Sequence, residues 1–261
     1  MYLLLLALNF LGPNPCVDLV DKPLEQASLF TSTDAGQCWQ AFENGLPERV
    51  DPHSVFEHAS YLFLSTRNAG LFRMDLKEEE LSWQESSQGL HPEAFIIDIV
   101  AKGDTMVLNT YWRGIYISKD GGKNWRQPIF NLKGQVEGLY FDDNRLLATS
   151  DRGIFESWNG GESWQQKWDI HHVRYLTRYK GQLVAARQNT IGTLNSDGPS
   201  WAEIETKWAI IGLFPQEDYL YARTAAGIML RSEDGINWEQ NDEQACRKAT
   251  GSKSVAETLW G

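Results

Sequence analysis

Ser118-Lys-Asp120-Gly-Gly122-Lys-Asn-Trp125 and Ser157-Trp-Asn159-Gly-Gly161-Glu-Ser-Trp164 are two copies of one turn, and Ser32-Thr-Asp34-Ala-Gly36-Gln-Cys-Trp39 is a third. Two tighter copies follow, Asn195-Ser-Asp197-Gly198-Pro-Ser-Trp201 and Ser232-Glu-Asp234-Gly235-Ile-Asn-Trp238. With a degenerate copy ending at Trp83, the tryptophans fall 44, 42, 39, 37 and 37 residues apart, a spacing that means a repeated structural unit rather than scattered aromatics. The turn chemistry explains the residue types. An Asp or Asn side chain accepts backbone N–H groups a few residues on, glycine takes the positive φ of a tight corner, and the indole buries a large face while keeping one N–H to place. Asp34, Trp39, Asp120, Trp125, Asn159, Trp164, Asp197, Trp201, Asp234 and Trp238 therefore read as structural, with the turn serine as the expected partner of the indole.

Upstream of the turns a second mark recurs, a glycine and two apolar residues: Gly70-Leu71-Phe72, Gly114-Ile115-Tyr116, Gly153-Ile154-Phe155 and Gly227-Ile228-Met229. Apolar residues alternate with period 2 around these marks, and no stretch shows the 3.6-residue period of an amphipathic helix. Each unit predicts four short strands, in one copy Ile96–Lys102, Thr105–Asn109, Gly114–Lys119 and Asn124–Pro128. Five complete units run from about Val55 to Gln240, and Ser28–Phe42 supplies half a unit. Because exposed strand edges invite pairing, the tail Lys253–Gly261 is expected to complete that first unit, giving six blades.

These turns resemble the Asp-box, or BNR, repeats of sialidase-like β-propellers, over residues 28–240. The resemblance implies an all-β fold, a single β-propeller, here of six four-stranded blades with closure between N- and C-terminal strands, and a ligand face opposite the boxes. Sialidases, xyloglucanase-type glycoside hydrolases, sortilin-type receptors and photosystem II assembly factors share such repeats, so the architecture does not choose a function. A sialidase would carry an early Phe/Tyr-Arg-Ile-Pro motif. Leu71-Phe72-Arg73-Met74 is the nearest approach and lies inside a repeat. A two-propeller glycosidase needs more chain than 261 residues.

Composition narrows the partners. The formal charge is −11, without a Lys/Arg-dense tract, which opposes the counterion release behind nucleic-acid binding. The apolar run Tyr2–Leu11 is too short to span a bilayer as a helix. Followed by Gly12-Pro13-Asn14-Pro15, it reads as a signal-peptide core, so residues 1–15 are expected to direct export and 16–261 to form the propeller. Cys16, Cys38 and Cys246 allow one disulfide at most and show no zinc spacing; Cys38 with Cys246 would tie the first repeat to the tail. No phosphate loop, metalloprotease or nucleophile-elbow motif is present, and no cofactor or metal is expected.

Loops joining second and third strands carry arginines, namely Arg67, Arg113, Arg152, Arg187 and Arg223, with Trp112, His172 and Trp208 nearby. A planar guanidinium fork suits carboxylates and phosphates, and aromatic rings add stacking surface. The expected function is a non-catalytic ligand-binding or assembly scaffold whose partner is a protein or an anionic or glycan ligand. The alternative is a glycoside hydrolase using the first-strand carboxylates Asp98, Glu137 or Glu57, which would need a pair about 5–9 Å apart. His171 and His172, as adjacent strand residues, would point to opposite faces.

Overall fold

The computed structural model describes residues 3–6, 29–32, 40–129, 132, 134–195, 198–203, 208–216 and 218–241. Asp34, Trp39, Asp197, the three cysteines and the tail expected to close the fold lie outside these residues, as does the side chain of Trp201. The described elements are strands. The first sheet joins β1 (Leu3–Leu6), β2 (Leu29–Ser32) and β3 (Gln40–Ala41). The second is β4 (Pro52–His58), β5 (Tyr61–Thr66), β6 (Leu71–Asp75) and β7 (Gln84–Glu85). The third is β8 (Ile96–Lys102), β9 (Thr105–Thr110) and β10 (Gly114–Ser118). The fourth is β11 (Val136–Asp142), β12 (Arg145–Ser150), β13 (Gly153–Ser157) and β14 (Gln165–Trp168). The fifth is β15 (Tyr175–Tyr179), β16 (Gln182–Arg187), β17 (Thr190–Asn195) and β18 (Gly198–Glu203). The sixth is β19 (Ile210–Gln216), β20 (Tyr219–Thr224), β21 (Met229–Ser232) and β22 (Glu239–Gln240).

Two expectations need correction. Among the described residues the structure has five blades, not six, because the full repeat is realised only from β4 onward. The opening sheet has three described strands, and β1, drawn from the start of the chain, runs antiparallel to β2 with Leu3 opposite Ser32. Within the third sheet the expected outer strand Asn124–Pro128 shrinks to a single bridge, Arg126 against Ile117, held by N–H to O distances of 2.8 and 3.0 Å.

Contacts divide the chain into two compact units, one holding Met1–Ile97 with Gly122–Trp125, the other Asp98–Gly121 with Arg126–Thr250. In the second unit the middle strands β12 and β16 each face two cores. Along β12, Leu146 and Ala148 join Val107, Ile115, Ile117, Val136 and Leu139, while Leu147 between them joins Ile154, Trp168, Val173, Leu183 and Ala185. Period-2 alternation on a strand covered on both faces thus turns into a continuous apolar run. A fully buried leucine such as Leu147 contributes about 2 kcal/mol. Tyr179, Val184, Ala186 and Ile191 of the fifth sheet pack on Ile210, Leu220, Ala222 and Leu230 of the sixth.

The acid–glycine turns hold themselves as their residue types require. Ser118 Oγ donates to Asp120 Oδ1 at 2.8 Å and Ser157 Oγ to Asn159 Oδ1 at 2.9 Å. Asp234 Oδ1 accepts the N–H groups of Ile236 and Asn237 at 2.8 and 2.7 Å. The Asn237 and Ile236 N–H groups hold its carboxyl well below the usual carboxylate range.

The indoles do something else. In the first unit, Trp83 Nε1 donates to Phe42 O and Trp125 Nε1 to Ser86 O, each at 2.9 Å, and each acceptor lies three residues beyond the preceding repeat tryptophan. The two backbone N–H groups repeat the step, reaching Asn44 O and Gln88 O at 2.8 Å. The indole is therefore a latch to the previous repeat, not a lock on its own turn serine. Its length explains this: anchored in the strand beyond the turn, the ring extends past its own corner. Trp164 Nε1 and Trp238 Nε1 are buried without a hydrogen-bond partner among the described residues.

Candidate functional site

In the sheets β8–β10 and β11–β14 the arginine-bearing loop and the acid–glycine turn leave opposite ends of the third strand. Gly114 pairs with Thr110 at one end of β10 and Ser118 with Met106 at the other. Gly153 pairs with Ser150, and Ser157 with Leu146, in β13. A buried hydroxyl closes the loop end. Thr110 Oγ1 donates to Gly114 O at 2.8 Å and accepts Arg113 N at 3.0 Å; Ser150 Oγ repeats this with Gly153 O and Arg152 N at 3.0 and 3.1 Å. Thr66 and Thr224 hold the corresponding loops of β5 and β20. A glutamine two residues after the repeat tryptophan then clasps the loop from the fourth-strand side: Gln127 Nε2 donates to Arg113 O at 2.6 Å and Gln166 Nε2 to Arg152 O at 2.9 Å. Only glycine fits at 153, with φ +122° and a Cβ position 2.8 Å from Gln166 Nε2. Neither the hydroxyl nor the glutamine was anticipated, although Trp125-Arg-Gln127 and Trp164-Gln-Gln166 carry the signal.

The loops therefore present Arg113 and Arg152 on anchored backbone, with Trp112 80% exposed and edge-on to Tyr111. Arg67, in the first unit, is paired with Asp51 at 3.1 Å, both side chains being solvated. Asp151 does not pair with its neighbour Arg152 but accepts Gln135 N at 2.8 Å. Arg187 ends β16 opposite Thr190, and Arg223 lies within β20 opposite Met229, so these two belong to strands rather than loops. Trp208 is exposed just before β19.

The structure gathers part of this set into one cleft of ≈ 340 Å³, lined by Asp169, Ile170, His171, His172, Arg187, Gln188 and Thr190. Trp112, Arg113, Arg152, Trp208 and Arg223 lie outside its lining. The two histidines are not strand neighbours on opposite faces: both line the cleft, their rings 6.4 Å apart. The cause is the backbone of His172 at φ +60°. The other left-handed non-glycine residues, Ala59, Asp143, Lys180 and Gln188, each open a two-residue hairpin, where that conformation is expected. His172 alone among the described residues adopts it in an open link, which costs about 1–3 kcal/mol and is a mark of functional positions. Its Nδ1 lies 3.3 Å from Glu137 Oε1.

His171 Nδ1 faces Asp151 O at 2.7 Å and its Nε2 faces Asp169 Oδ1 at 3.0 Å. The Asp151 carbonyl first, and Asp169 with it, raise this imidazole above its ordinary range. Of the carboxylates considered for acid–base chemistry, Asp98 is half-buried, its Oδ2 accepting Leu139 N at 2.8 Å, and burial pushes it up to about 6. Glu57 is exposed on β4 in the first unit. Among the described residues no group of three or more His, Cys, Asp or Glu side chains could hold a metal ion, and no helix is long and apolar enough to cross a membrane.

No protein-family model and no curated protein matches the chain. Among solved structures it is similar to YCF48 bound to D1 peptide, at 19% identity and TM-score 0.63 over 84% of this chain and 76% of that one. It is also similar to an ancestral GH74 enzyme, at 16% identity and TM-score 0.55 over 76% of this chain and 31% of the enzyme. The WD40 β-propeller domain of Doa1 matches at 13% identity and TM-score 0.55, over 70% of this chain and 64% of that one. At such identities the likeness establishes the fold: the chain is an all-β, single β-propeller.

Proposed function

We propose that this propeller, a member of the BNR/Asp-box group by its turns, is a non-catalytic scaffold that binds a protein partner through an acidic peptide segment. The observation that carries the reading is the anchoring of Arg113 and Arg152 by buried hydroxyls and glutamines, at the strand ends opposite the acid–glycine turns. Exposed cations on pre-organised backbone lose little freedom on binding, and exposed Trp112 adds a large contact at low entropic cost. His172, Arg187, Trp208 and Arg223 extend the proposed face in the second unit, and Arg67 is its counterpart in the first. YCF48, structurally similar, has been solved with a peptide, which supports peptide over glycan as the ligand class. A hydrolase built on Asp98, Glu137 and Glu57 has less support, since Leu139 N and His172 already engage the first two.

Arg113→Ala and Arg152→Ala together should weaken binding of an acidic peptide about tenfold or more, the scale of interface anchors, while thermal stability hardly moves. Unchanged affinity, or a collapse of the fold, refutes the reading. Export is proposed from the apolar run Tyr2–Leu11. The mature secreted protein should then begin after residue 15, and retention of Leu3–Leu6 in it overturns that proposal.

A further inference from the structure

Deepening the binding reading above, we propose that the His171 cleft is a proton-dependent subsite for a carboxylate, and that Asp169 occupies it as an internal stand-in for the ligand. Three observations on different atoms meet here. First, both nitrogens of His171 face acceptors, Asp151 O at 2.7 Å and Asp169 Oδ1 at 3.0 Å. A neutral imidazole has one N–H and can satisfy only one of them, so the geometry is complete only for the imidazolium. Second, the bound carboxylate is 83% exposed, held by a solvated ion pair worth no more than about 1 kcal/mol, and an incoming carboxylate can displace it at little cost. Third, the strained backbone of His172 turns a second imidazole into the same cleft, which Arg187 also lines.

The charges around His171 are Asp169, His172 and Arg174 on its own link, Asp151 and Arg152 from the β12–β13 turn, Arg187 at the end of β16, and Glu137 of β11 beside His172. Asp151 offers His171 its carbonyl and engages Gln135 N with its carboxylate, so the carboxylate competing with a ligand at Nε2 is that of Asp169. Because the folded state raises the His171 pKa, the cation and the subsite persist below that value and are lost as pH rises through it.

The probes are an acetylated, amidated oligoglutamate peptide and an acetylated oligoglycine with a free C-terminal carboxylate, titrated against the full chain from pH 6 to pH 8.5. Affinity should fall about tenfold over this range, for the first probe if side-chain carboxylates are taken and for the second if a chain end is. His171→Gln should remove the pH dependence while leaving affinity at pH 8.5 close to the parent's. Asp169→Asn removes the internal competitor and should tighten binding at pH 6 several-fold. Weaker or unchanged binding in Asp169→Asn, or a parent affinity independent of pH, overturns the subsite. If Arg113→Ala with Arg152→Ala weakens binding and Asp169→Asn does not strengthen it, the scaffold reading stands and this inference fails. If neither probe binds at any pH, the scaffold reading fails first.

Discussion

Replacing Gly89 with alanine tests the latch between repeats of the first unit. Gly89 has φ +87°, and a Cβ there would sit 1.9 Å from Trp125 O and 3.0 Å from Trp125 C. Gly45, one repeat earlier, stands in the same relation to Trp83 O, at 2.2 Å. Both contacts are backbone on backbone, so no rotamer relieves them and the segment carrying the indole must move. The cost has two parts. A left-handed alanine costs about 1–2 kcal/mol by itself. Displacing Trp125 breaks its hydrogen bonds to Gln88 O and Ser86 O, which contribute about 1 kcal/mol each. The sum, roughly 3–4 kcal/mol, corresponds to a melting temperature about 10 °C lower for a chain of this size. Gly103→Ala is the control, since Gly103 has φ +56° with nothing within 4 Å of its Cβ position, and it should show the strain alone. Urea unfolding and thermal melts of the two variants side by side decide the matter. Equal losses in Gly89→Ala and Gly103→Ala would mean that the close approach to Trp125 contributes nothing.

Asp142 is 3% exposed and joins Arg145 to Arg178 at 2.9 and 2.7 Å. Burial alone would raise its pKa, but the two guanidinium groups lower it below the usual value, so its contribution is present above about pH 4 and fades as pH falls. Asp142→Asn should cost about 3 kcal/mol in urea at pH 7, with the gap to the parent narrowing toward pH 3; a constant gap would show that charge is not the cause. Asp98 behaves oppositely. Its raised pKa means the native state holds a proton that the unfolded chain releases, so stability should decline as pH rises from about 4 to about 6, and Asp98→Asn should flatten that slope. A slope that survives the substitution assigns it to another group. Trp112→Ala should leave the melting temperature within about 1 °C, as exposed positions do, while weakening peptide affinity; a large melting shift would make Trp112 structural.

Much of this molecule is legible before any coordinates. The strand boundaries Ile96–Lys102 and Thr105–Asn109, expected from period-2 alternation, differ from those observed by at most one residue. The bonds from backbone N–H groups to the Asx side chain, as at Asp234, follow from residue type and spacing, because each turn is satisfied within a few residues of chain; the serine, expected to partner the indole, donates to the Asx instead. Local chemistry written in local sequence is readable. The outer strand of the third sheet was not readable: Asn124–Pro128 was expected to form it, yet only Arg126 pairs with Ile117.

Contacts between repeats depended on three-dimensional register. Trp83 and Trp125 seemed to belong to their own turns, but the length of an indole carries the N–H to a carbonyl of the previous repeat, about 40 residues away in sequence. Gly45 and Gly89 acquire their necessity only from that approach. The same holds at the candidate site. Nothing in His171-His172 announces that one residue will turn left-handed, bring both rings into one cleft and set one of them between Asp151 O and Asp169, since each partner comes from a different part of a blade or link. Sequence by itself determined the repeated four-stranded unit and its self-sufficient corners. Tertiary structure decided the count of blades, the acceptors of the Trp83 and Trp125 indoles and the composition of the cleft, because these depend on which backbone atoms neighbouring sheets bring within 3 Å of one another.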